Sequence, residues 1–345
     1  MPICNIDCKP AGLTIKITGM SSTEDPRGAQ YDVAVIGGGA AGLSAGITLT
    51  RALRSVVVFD AGHPRNRPAK AVHGFLSRDG APPGELLAVG RRELVRYGGL
   101  VLSRKAVSAR RSDTAFEVTA EDGDVIRARR LMVTSGLTDE LPEVPGVRER
   151  WGKDVVHCPY CHGWEIRGRA IGVLAGGPMA IHQALLFRQW TDDLMLLTHT
   201  TTMPTPDQLE QLVARGIQVV PGVVERLEIT DDRLRGARLT DGNLIAREAI
   251  VVAPRMVAAS PVLESLGLKP IAHPLGSAVG AAYEADPTGA TPVEGVWVAG
   301  NVHDIQAQLI TSAAQGAAAA AALNAHLIAE ETKAAVVRSR AEVSP

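Results

Sequence analysis

Tyr31–Ile36 (YDVAVI) runs directly into Gly37-Gly-Gly-Ala-Ala-Gly42, and few folds accept that junction. The run is apolar and rich in β-branched side chains, as expected of a buried parallel strand. Leu43–Leu53 then has helical spacing, and Ser55–Phe59 (SVVVF) is a second buried strand that ends at Asp60. The three pieces make a β-α-β unit of about 30 residues. Gly37, Gly39 and Gly42 fit G-x-G-x-x-G. The first allows the tight turn, the second leaves the backbone open to a pyrophosphate, and the third lets the helix lie close on the strand. The helix start, at Ala40 and Ala41, offers unpaired N–H groups and a positive dipole end to phosphate. Asp60 follows Gly42 by 18 residues, where a carboxylate accepts hydrogen bonds from ribose hydroxyls and repels a 2′-phosphate. The site is expected to prefer an FAD- or NAD-type adenosine. The competing reading is a glycine-rich turn that binds nothing; it leaves the strand, the helix and the acidic residue unexplained.

The same pattern starts again at residue 170. Ala170–Leu174 reads as a strand, Ala175–Ala180 as a glycine-containing turn, Ile181–Trp190 as a helix and Asp193–Leu197 as a strand. Leu209–Arg215, Gln218–Val220, Val223–Ile229 and Ala249–Val252 continue the rhythm. Near the end, Gly295–Ala299 (GVWVA) is a strand followed by Gly300, Asn301 and a helix over Leu309–Leu327. The expected fold class is α/β, with two Rossmann-like nucleotide-binding domains, the second inserted in the first. The expected boundaries are a disordered tail over 1–30, a first domain from 31–150 and 280–330, an insertion over 151–279, and a flexible tail over 331–345.

The chain has four cysteines and a formal net charge of −1. No basic patch points to nucleic acid. No apolar run approaches the ~18 residues of a membrane span, and residues 1–30 lack the core of a signal peptide, so a cytoplasmic protein is expected. Cys4 and Cys8 lie in a polar tail and read as inert. Cys158 and Cys161 stand in His157-Cys158-Pro159-Tyr160-Cys161-His162-Gly163. A C-x-x-C in a first helical turn brings two sulfurs within disulfide reach, and a helix N-terminus lowers a thiol pKa from ~8.5 to somewhere in ~3.5–7.5. Pro159 suits the first helical position. The flanking imidazoles of His157 and His162 can move protons to and from thiols near neutrality. Three other readings compete: C-x-x-C-H as a haem attachment site, a zinc site using one of the histidines, and inert structural thiols.

Taken together these motifs resemble the low-molecular-weight thioredoxin reductases among the pyridine-nucleotide disulfide oxidoreductases, from about Tyr31 to about Leu327. The resemblance implies FAD on the first glycine turn, with the C-x-x-C in an inserted pyridine-nucleotide domain, and a homodimer. Thr134-Ser135-Gly136 resembles the family's A-T-G segment. Val298-Ala299-Gly300-Asn301 resembles its second FAD motif, usually A-G-D, and Gln308-Leu309 resembles the start of its last FAD-contacting helix. By resemblance Cys161 faces the flavin, Cys158 is the exchange thiol, and His162 stands where the family usually places an Asp proton donor.

Two departures bear on electron flow. Where the family has G-x-G-x-x-A, this chain has Ala175-Gly176-Gly177-Pro178-Met179-Ala180. Ala175 is expected to be strained at the positive φ of a turn glycine, and Pro178 lacks an N–H for phosphate. Where an H-R-R segment grips the NADP 2′-phosphate, His199-Thr200-Thr201-Thr202 has no arginine. NADPH or NADH is therefore expected to bind weakly or not at all. The Cys-Pro-Tyr-Cys-His-Gly motif, Asp60-Ala61-Gly-His-Pro-Arg65-Asn66 and His73-Gly74-Phe75 resemble a subgroup of dithiol oxidases that form disulfides in natural products of the gliotoxin and holomycin type. That resemblance implies a small-molecule dithiol substrate and oxygen as the final acceptor. The alternatives are an NAD(P)H-dependent reductase of a thioredoxin-like protein or small disulfide, and a flavin-binding redox sensor.

Overall fold

The computed structural model describes residues 30–343; the tail expected before Gln30, with Cys4 and Cys8, lies outside the described residues. The first β-α-β unit forms from Gln30–Ile36, Ala40–Arg51 and Val56–Phe59. Its two strands pair in parallel, with Val35 opposite Val58 and Ile36 opposite Phe59. The full sheet runs in the order Leu100–Leu102, Val56–Phe59, Gln30–Ile36, Val125–Val133, Ala115–Ala120 and Ala106–Ser112, and Val296–Val298 also pairs with Val125–Val133. Val125–Val133 is one strand with two uses. Its first half pairs antiparallel with Ala115–Ala120, and its last residues pair in parallel with Gln30–Ile36.

A second, parallel sheet orders Gln218–Val220, Leu194–Leu197, Ile171–Leu174, Ala249–Val252 and Val155–Val156. Its four central residues at 249–252 are fully buried, as strands covered on both faces must be. The strand Val155–Val156 delivers the chain straight into His157 and Cys158.

The insertion is shorter than the sequence suggested. Thr138–Glu140 and Arg255–Val257 pair antiparallel, so the outgoing and returning chains lie side by side. Met256, Ala258, Val262, Leu263 and Val279 are buried in one cluster with Ala34, Val57 and Leu131. The return therefore falls near residue 255 rather than 280, because these side chains complete the core of the first sheet. At the other end, Val144 and Val147 are buried with Leu174 and Leu197 of the second sheet, so the insertion begins before 151.

The last helix also departs from expectation. It spans Leu309–Val343, so the segment expected to be a flexible tail from 331 is helical to Val343. Its early part lies close on the first helix: a Cβ at Gly316 would overlap the backbone of Ala41. Further along, Glu330 pairs with Arg130, while Glu331 pairs with Arg54 and Arg129 at 2.6 and 2.7 Å. Hydrogen bonds from Arg54 and then Arg129 hold the Glu331 carboxyl down at about 2. A depressed carboxyl pKa stabilises above the unfolded value and ceases to do so as pH falls through the folded one. Glu331 is partly exposed, so Glu331→Gln is expected to cost about 1 kcal/mol or less at pH 7. Urea unfolding should show that difference shrinking on acidification toward pH 2. Among the described residues no helix is long and apolar enough to cross a membrane.

Candidate active site

The glycine turn of the first unit is built as its spacing demands. Gly37 has φ +119°, and a Cβ there would overlap the carbonyl of Thr134. Thr134 in turn donates its hydroxyl to the carbonyl oxygen of Gly37 at 2.9 Å. Gly39 caps the helix without a side-chain hydrogen bond, and a Cβ there would meet nothing within 4 Å. That is the open backbone a pyrophosphate requires, facing uncapped helix N–H groups.

A cavity of about 860 Å³ spreads from this turn. It is lined by Gly37, Gly39, Ala40, Ala41, Asp60, Ala61, Arg65, Asn66 and His73, and by Thr134, Ser135, Gly136, Asn301, Gln308 and Leu309. His157, Cys158, Cys161 and His162 line the same cavity, although they belong to the inserted unit. Two sequence candidates do not line it. Gly42 is packed against the Gly37 carbonyl, and Gly300, at φ +74°, against Ala41. Both let the chain pack closely.

Tertiary partners that sequence reasoning did not find hold several of these side chains. Asp60 accepts from Arg91 Nε and Nη2 at 2.8 and 2.6 Å, and from the Gly62 amide at 2.9 Å. Arg65 forms a two-bond pair with Asp139 at 2.8 and 2.7 Å and reaches Asn301 Oδ1 at 3.2 Å. Asn301 donates to the carbonyls of Asp304 and Ala307 at 2.9 and 2.8 Å, which shapes the loop before the last helix. Gln315 accepts the Gly300 amide at 3.1 Å. No local pattern marks Arg91, Asp139 or Gln315, since each meets its partner only after folding.

Cys158 and Cys161 form a disulfide with Cα atoms 5.2 Å apart. Cys158 caps the one-turn helix Pro159–His162, and Pro159 takes its first position. His73 Nε2 lies 3.4 Å from Glu165 Oε1, so the loop of the first unit reaches the segment after the disulfide. His157 Nδ1 lies 3.1 Å from the carbonyl oxygen of Val252. His162 Nδ1 is buried without a partner. Burial lowers the pKa of both imidazoles below the ordinary value, with Val252 partly opposing this at His157 and Glu165 at His162. His199 is lowered by burial too. Between these folded values and about 6.5 the unfolded chain binds more protons than the native one, so stability rises with pH through that window. Urea midpoints are therefore expected to be lower at pH 5.5 than at pH 7.5.

The second glycine turn is also part of the cavity wall, through Gly176, Gly177, Pro178 and Met179. The strain expected at Ala175 is not there. Ala175 is buried and is not among the residues with positive φ, so the turn takes another course. His199 points inward and accepts the Val224 amide at 3.1 Å. Residues 199–202 thus present no lysine or arginine to a 2′-phosphate. The first turn fits a dinucleotide; the second has Pro178, which lacks an N–H, and no arginine follows at 199–202.

Two Rossmann-like units with a C-x-x-C disulfide in the cavity they share define a disulfide oxidoreductase. The chain belongs to the pyridine nucleotide-disulphide oxidoreductase family, whose model matches residues 31–321. Members with this thioredoxin reductase-like fold bind FAD and NAD(P)H. The crystal structure of HlmI superposes with a TM-score of 0.84 at 43% identity, covering 91% of this chain and 98% of that one. An oxidoreductase from Agrobacterium tumefaciens gives 0.81 at 36% identity, covering 87% and 99%. Thioredoxin reductase aclD of Aspergillus oryzae is 39% identical over 155 residues, 44% of this chain and 49% of its own. The chain thus spans about half the length of that curated relative. Thioredoxin reductase sirT of Leptosphaeria maculans is 28% identical over 312 residues, 85% and 93% of the two chains.

Proposed function

We propose that this chain oxidises a small-molecule dithiol to a disulfide, with FAD on the first glycine turn and oxygen as final acceptor. The observation that carries the reading is an asymmetry. The disulfide shares one cavity with an intact dinucleotide turn, while the second turn carries Pro178, which lacks an N–H, and residues 199–202 include no arginine.

The residues divide the work as follows. A substrate thiol gives its proton to His157, and its sulfur attacks Cys158. The Cys158–Cys161 bond breaks, leaving a mixed disulfide at Cys158 and a thiolate at Cys161 beside His162. The second substrate thiol attacks the mixed disulfide, the cyclic product leaves, and both cysteines are left reduced by two electrons. FAD, when bound, would supply the two-electron acceptor for the reduced cysteine pair, and oxygen would be the final acceptor. Gly39, Ala40 and Ala41 would hold its pyrophosphate and Asp60 its ribose. The exposed rings of Tyr160 and Trp164 beside the disulfide leave room for a second reading, in which a thioredoxin-like protein docks there.

The test is oxygen uptake by the purified holoprotein given dithiothreitol and no pyridine nucleotide. Steady uptake with peroxide formation is expected; uptake only after NADPH is added would favour the reductase.

A further inference from the structure

Gln183 is the residue that the mechanism above leaves unused and the structure leaves unbalanced. It lies on the helix Ala180–Phe187, which follows the altered second glycine turn. Its side chain is 6% exposed and lines the cavity. Its Nε2 is 3.3 Å from His157 Nδ1, and its Oε1 is buried with no partner.

His157 Nδ1 therefore faces two groups, the Val252 carbonyl and the Gln183 amide. The carbonyl can only accept, so it calls for a proton on Nδ1. A proton there leaves Nε2 bare, the form in which an imidazole takes a proton from a thiol. With Nδ1 protonated, an amide that presents Nε2 sets donor against donor. Turning the amide over brings Oε1 to Nδ1–H and removes that conflict, and it leaves Nε2 in the buried position that has no partner. When Nε2 then gains its proton, the imidazolium has two acceptors for Nδ1–H in a largely buried place.

We propose that Gln183 is the positioning residue of His157: its amide fixes the Nδ1–H form and supports the ring when Nε2 takes up the substrate proton. The helix that would carry a pyridine nucleotide in a reductase serves the thiol chemistry here. The charged and titratable groups acting on His157 are Arg65 and Asp139 from the first unit and His162 from beyond the disulfide, and Gln183 works against that fixed background. This inference rests on the proposed role of His157 as the base.

The test uses the holoprotein and two variants, Gln183→Leu and Gln183→Glu. The His157 midpoint is read by NMR titration of the imidazole signals, assigned with His157→Asn. It is compared with the acid limb of kcat/KM for dithiothreitol. Loss of the acceptor in Gln183→Leu is expected to move both midpoints down by about one pH unit, and a carboxylate in Gln183→Glu to move both up by a similar amount. A merely structural role would alter the denaturation midpoint without opposite pKa movements. An unchanged His157 midpoint in Gln183→Leu, or shifts of the same sign in both variants, would overturn the proposal. Absence of dithiol oxidation by the unaltered protein would instead overturn the oxidase reading, and the NMR titration would still decide the role of Gln183.

Discussion

Serine at Cys158 or at Cys161 is expected to remove dithiol-dependent oxygen uptake, with a fall of at least about 10⁴-fold, the scale seen when a covalent nucleophile is lost. Both cysteines are needed, because one accepts the substrate sulfur and the other must leave. The variants should nonetheless fold. The disulfide links residues three apart in sequence and so constrains little unfolded chain. The two serines also separate the roles. Cys161→Ser leaves the proposed exchange thiol, and it should react with a chromogenic aromatic disulfide faster than Cys158→Ser does. Equal reaction rates, or faster reaction of Cys158→Ser, would reverse the assignment.

Aspartate at Gly39 is expected to give a folded protein without flavin. A Cβ at Gly39 would meet nothing within 4 Å, so the fold has room for the side chain. The new carboxylate would lie where the pyrophosphate must approach, and juxtaposed like charges cost several kcal/mol. A loss of about 3 kcal/mol corresponds to a little over 100-fold in affinity. Purified protein should then show ordinary far-ultraviolet circular dichroism and little visible absorbance. Alanine at Gly42 makes the contrast. Its Cβ would overlap the Gly37 carbonyl, so folding itself should suffer. Loss of flavin in both variants with folding lost in neither would mean that Gly42 does not pack as described.

What could be read from the sequence was local in origin. The junction at Ile36–Gly42 is a strand, a turn and a helix in immediate succession, and each is specified by its own residues. The C-x-x-C helix is similar, since Pro159 and the spacing of the sulfurs decide its form. The partners of the site residues were not local. Arg91 is one of several arginines on Pro83–Arg96, and nothing in that helix marks it as the residue that meets Asp60. Gln183 meets His157 across two elements of the inserted unit. The charged stretch after Leu327 reads as a solvated tail until Arg54, Arg129 and Arg130 are brought against it. The early return of the chain was hidden for a related reason. Arg255–Val257 is three residues long, too short for periodicity to reveal which core it joins.

The claim on which the account rests is that electrons enter through the cysteine pair from a dithiol. An anaerobic titration of the oxidised holoprotein, followed at the visible flavin band, tests it. Dithiothreitol alone is expected to bleach the band, and NADPH or NADH at micromolar concentration to leave it unchanged. Rapid bleaching by NADPH, with none by the dithiol, would contradict the account.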